Sequence, residues 1–124
     1  MNPDPALSAP VEPPVLPAVK HSGLGIAAFV IAIVAGIALF LSFAVAGYLQ
    51  VSRSGGMDEK SGLVMLVGLL IIGVCMVHLV GAALAIAGLF QAERRKVFPI
   101  LGLVLNAVAI LGTVGLIIVG NMMK

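Results

Sequence analysis

The chain has 124 residues, of which 61% are apolar and only 10% charged, with a mean hydropathy of +1.24. That balance excludes an ordinary soluble domain, and a formal charge of +2 with no basic patch interleaved with aromatics excludes a nucleic-acid partner. A lone cysteine, Cys75, excludes an internal disulfide.

Residues 1–21 hold six of the seven prolines and too little apolar surface to fold, so they read as a disordered or polyproline-like tail. Pro10 to Pro13 and Pro14 to Pro17 fit the PxxP spacing, which in so proline-rich a stretch reads as spacer before docking motif. Ser22 is a helix cap for the first uncharged run, 24–51. Ala44-Val45-Ala46 resembles a signal-peptidase site. The apolar stretch before it is longer than the roughly 7–15 residues of a signal core, so an uncleaved anchor is expected.

Residues 52–61 form a short polar connection with a turn at Gly55-Gly56. The central run, 62–91, has thirty residues without Asp, Glu, Lys or Arg. As a helix it reaches about 45 Å, enough to cross roughly 30 Å of hydrocarbon once and too short to cross twice. Ala92-Glu93-Arg94-Arg95-Lys96 follows, the most basic spot in the chain, and Pro99 then suits the first turn of a third run, 97–123. The expected fold class is therefore all-α and integral to a membrane. Three transmembrane helices in an antiparallel bundle occupy 22–124, behind the tail.

Three spans place Lys20 and Arg94, Arg95 and Lys96 on one side, against Arg53, Lys60 and Lys124 on the other. The basic triplet is clustered at a span end, where the positive-inside bias acts, which predicts a cytoplasmic N-terminus and an outside C-terminus.

Apolar helices in lipid associate through small residues that let backbones approach. The first span offers Gly25, Ala28, Ala32, Ala35, Leu39, Ser42 and Ala46 at helical spacing. The second offers His78, Gly81, Ala85, Gly88 and Ala92, and the third Gly102, Asn106, Ala109, Thr113, Leu116 and Gly120. Three such stripes predict a packed three-helix unit.

His78 is the sharpest single residue, because an ionisable side chain within a span faces protein or water. With Cys75, Asn106 and Thr113 it defines a candidate intramembrane polar site. No charged side chain lies in any span to complete a relay, so the favoured reading is a histidine hydrogen-bonded to Asn106 or a carbonyl. Too few ligands exist for a metal and no nucleophile, base and acid share a depth, so neither cofactor nor enzymatic activity is expected.

The segments SGLGIAAFVIAIVAG (22–36) and GAALAIAGLFQAERRKVFPILGLVLNAVAIL (81–111) resemble a bacterial family of small integral membrane proteins classed as a domain of unknown function. In that family a proline-rich leader precedes a Gly/Ala-rich first span, and a later span ends in basic residues. Val97-Phe98-Pro99-Ile100 departs from the family's Gly-rich entry to the last span. The resemblance implies the bacterial inner membrane and brings no catalytic or binding residues. The expected role is helix–helix contact with itself or another membrane protein in the bilayer, as accessory subunit, assembly factor or homo-oligomer. The alternative is a small oligomeric channel or holin-like pore built around His78, Asn106 and Thr113.

The orientation has a direct check in a Cys75→Ser background. Single cysteines placed in 52–61 should react with an impermeant thiol reagent added outside, and cysteines placed in 92–96 should not; the reverse pattern inverts the topology.

Overall fold

The computed structural model describes residues 12–52, 55, 58 and 60–123; the first half of the proline-rich tail, with Pro10, lies outside them, as do Arg53, Gly56, Glu59 and Lys124. Three helices follow one another: α1 (Gly23–Ser52), α2 (Gly62–Leu89) and α3 (Val97–Met122). In hydrocarbon every backbone amide must be paired within its own segment, so uninterrupted apolar runs of this length adopt helix. At 1.5 Å per residue their 30, 28 and 26 residues extend about 39–45 Å, enough for a tilted crossing. All three are long and apolar enough to cross a membrane. Only 28% of the most apolar stretch of α1, and 17% of those of α2 and α3, is buried in the bundle. The remaining Leu, Ile, Val and Met side chains face outward, a surface suited to lipid. The chain is a multi-pass membrane protein.

The start of α1 is fixed by Ser22, whose Oγ accepts the Gly25 amide at 3.0 Å. The end of α2 tightens, with the Phe90 amide donating to Ala87 O and the Gln91 amide to Gly88 O. Glu93, with φ of 56°, then turns the chain back toward α3. The helix therefore stops at Leu89 rather than at 91, and Ala92, expected to prolong the α2 stripe, lies exposed in the loop.

Each helix touches both others. The contacts put the start of α1, the end of α2 and the start of α3 together, as antiparallel neighbours require. At this end the backbones are almost in contact. A Cβ on Gly25 would lie 2.2 Å from Pro99 Cδ and 2.7 Å from its nitrogen. One on Gly88 would lie 3.0 Å from the Gly25 amide and from Ser22 Oγ, and one on Gly102 2.9 Å from the Phe29 amide. Pro99 is fully buried among these glycines. Phe98 meets His21 and Phe29 edge to face, with ring centroids 5.1 and 5.6 Å apart.

The other end is different. Beyond a small cluster of Ala35, Leu39 and Val74, α2 has no buried residue before Val74 and α3 none after Thr113. A Cβ on Gly62, Gly68, Gly73, Gly112, Gly115 or Gly120 would meet nothing within 4 Å. Leu116 and Gly120, read from the sequence as a continuation of the α3 stripe, are accordingly exposed. The bundle is sealed at one end and looser at the other, where Ser42 and Leu49 of α1 remain buried but α2 is only half-buried and α3 is uncovered beyond Thr113.

This asymmetry predicts opposite responses to one added methyl group. Gly25→Ala must push α1 away from Pro99 and should cost about 1–3 kcal/mol of stability, as overpacking does. Gly115→Ala should leave stability unchanged or raise it by up to about 1 kcal/mol, through helix propensity. Thermal unfolding followed by circular dichroism in mild detergent separates the two, and equal melting temperatures would contradict the sealed end.

Candidate functional site

Inside the sealed half, α2 and α3 each place one large polar side chain in the seam. His78 and Asn106 are both fully buried. Counted from the helix ends at 1.5 Å per residue, each sits roughly 15 Å below the sealed end, well within the hydrocarbon. His78 Nδ1 and Asn106 Oδ1 are 2.7 Å apart. The Asn106 amide nitrogen donates to Gly102 O of its own helix at 2.7 Å and to Ala28 O of α1 at 3.3 Å. One side chain thus ties all three helices.

The arrangement fixes the proton. Carbonyl oxygens only accept, so the amide nitrogen of Asn106 must face Gly102 and Ala28, which turns its oxygen toward the imidazole. Nδ1 is therefore the donor. Nε2, on the far side of the ring, is buried with no hydrogen-bond partner.

Small residues make the tie possible. A Cβ on Gly81 would stand 2.7 Å from Asn106 Oδ1 and 2.8 Å from its Nδ2, so glycine at that position gives the amide its room. The close approach at Gly102 brings the α1 backbone, and with it the Ala28 carbonyl, within reach. Ala28, Ala32 and Ala35 of α1, Ala85 and Gly88 of α2 and Gly102 of α3 are buried along the same seam, and Ala109 is half-buried.

The other two residues of the candidate polar site do not join the pair. Cys75 is half-buried with a free thiol, and Thr113 donates to Ala109 O within its own helix at 2.8 Å. Ser42 does the same toward Ala38 O at 2.7 Å. These hydroxyls are spent on their own backbones. Among the described residues no three His, Cys, Asp or Glu side chains gather. What sequence reading could not supply is the Ala28 carbonyl, since backbone acceptors leave no mark in side-chain pattern. It also passed over Pro99 as a packing residue, although a proline facing glycine stripes was the available signal.

Comparison of the chain with protein-family models, with curated proteins and with solved structures gives no match. The chemistry of the site must therefore be read from its own geometry. It is a closed hydrogen-bonded knot with no solvent-facing atom, suited to holding helices in register.

A double-mutant cycle on His78→Ala and Asn106→Ala measures the tie. The coupling energy should fall at about 0.6–1.7 kcal/mol, the range from average to strongest for hydrogen bonds between membrane helices. Strict additivity of the two losses would remove the bond as a source of stability.

Proposed function

We propose that this is a small bacterial inner-membrane protein that works through helix–helix contact, as an accessory subunit, an assembly factor or a homo-oligomer, and that it is not an enzyme. The observation that carries the reading is the contrast between its two halves. The amide of Asn106 and the Nδ1 of His78, the polar groups within the sealed half of the spans, bond to their own protein, while the other half presents uncovered glycines on α2 and α3. Small residues facing lipid offer a close-packing surface to another helix. The bacterial inner membrane is our reading from the resemblance noted in residues 22–36 and 81–111, and the basic triplet at 94–96 favours a cytoplasmic N-terminus.

A conducting pore requires a continuous polar lining. The spans offer none: Ser42 and Thr113 bond to their own helices, and His78 and Asn106 bond to each other. This favours the contact role over a channel.

The test is what the full chain holds in mild detergent after crosslinking in membranes. A specific membrane protein or a defined homo-oligomer should be recovered with the wild type. It should be lost with Gly112→Leu/Gly115→Leu, a variant whose own thermal stability should be unchanged. Recovery of a lone monomer that conducts ions or protons in vesicles would replace this reading with the channel.

A further inference from the structure

We propose that the sealed end carries a binding site for the phosphate headgroup of an anionic phospholipid, formed by Lys20 together with Arg95 and Lys96. The chain brings these cations together by folding, across a sequence separation of more than seventy residues. The Arg95 amide donates to Lys20 O at 3.1 Å, and His21 and Arg95 form a parallel bridge. Arg94 reaches across with Nη1, donating to His21 O at 3.3 Å. Arg94 is thereby committed to holding the two segments side by side. Lys20, Arg95 and Lys96 are exposed around this clamp.

Among the described residues no carboxylate pairs with them; the one acid in the loop, Glu93, is exposed and makes no ion pair. Four cations thus face one carboxylate in a single patch. Its depth decides the occupant. Lys20 lies three residues before α1, Lys96 immediately before α3, and the loop follows directly on the end of α2. All of them lie at the boundary between hydrocarbon and water, where the fixed anions are lipid phosphates. Lys96 offers no side-chain cap to α3, so the first amides of that helix add positive potential to the same spot. A cation near an anionic membrane surface gains about 1 kcal/mol, or about fivefold in affinity.

The test uses the full-length protein in neutral detergent, titrated with phosphatidylglycerol, with phosphatidylcholine, and with inorganic phosphate in large excess. Binding is read as retained lipid by native mass spectrometry and as a rise in melting temperature. Phosphatidylglycerol should bind preferentially, and Lys20→Gln/Arg95→Gln/Lys96→Gln should weaken it by on the order of 100-fold, about fivefold for each cation. Lys60→Gln, in the opposite connection, should leave it unchanged. Equal binding by the triple variant overturns the site, as does an equal loss from Lys60→Gln. Equal stabilisation by inorganic phosphate overturns the lipid as its occupant. If the triple variant does not fold, the wild-type preference is followed against rising salt: its disappearance supports the charged site, and its persistence overturns it.

Discussion

The structure depends on a three-way hydrogen-bonded junction at Asn106. In lipid the apolar faces of helices gain little by leaving the solvent, which is itself apolar, so a bundle needs close packing or interhelical hydrogen bonds to exist. Here the two are the same feature. Gly81 and Gly102 remove the side-chain bulk that would hold α2 and α1 away, and Asn106 fills the resulting space with one acceptor and two donors. The bond energies are modest, but the alternative for each group is an unpaired amide or imidazole in hydrocarbon.

From that junction toward the helix ends the bundle only becomes tighter. Pro99 seats against Gly25 and Gly88, Phe98 bridges His21 and Phe29, and the segment at 20–21 lies beside Arg94 and Arg95. Away from the junction no comparable device recurs. The hydroxyls of Ser42 and Thr113 turn back onto their own helices, and the glycines of α3 beyond Gly102 meet no neighbour. One polar knot and one proline therefore hold the sealed half, while beyond it α1 keeps Ser42 and Leu49 buried and the outer ends of α2 and α3 carry glycines that meet no neighbour.

Much of this was legible in the sequence because the relevant signals are local. Charge-free runs mark the spans, and helical spacing of small residues marks the α1 stripe from Gly25 to Ser42, all of it buried except between its stripe positions. The same spacing misleads beyond Thr113. A stripe says which face is small but not whether a neighbour covers it, and at Leu116 and Gly120 nothing covers α3. Ala92 misled for a different reason. Periodicity extends through a helix end unless the turn is seen, and Glu93 carries the left-handed turn with no glycine to announce it. The junction was half legible: two polar residues in apolar spans suggest each other as partners, yet the third participant is a main-chain carbonyl.

A histidine and an asparagine in this seam also do something that leucines of similar volume could not. Apolar stripes of alanine and glycine match one another in several registers, since sliding one helix by a turn places another small residue opposite. The His78 to Asn106 to Ala28 sequence of bonds has a single register in which every donor is used. A slip of one helical turn, about 5.4 Å, breaks the His78 to Asn106 bond and takes Asn106 off the Ala28 carbonyl, leaving its amide only Gly102 O of its own helix. Buried polar residues are known to fix register in coiled coils in this way. The same slip would drag Lys20 away from Arg95 and Pro99 away from Gly25, so the knot in the hydrocarbon and the basic clamp at its boundary enforce one alignment between them.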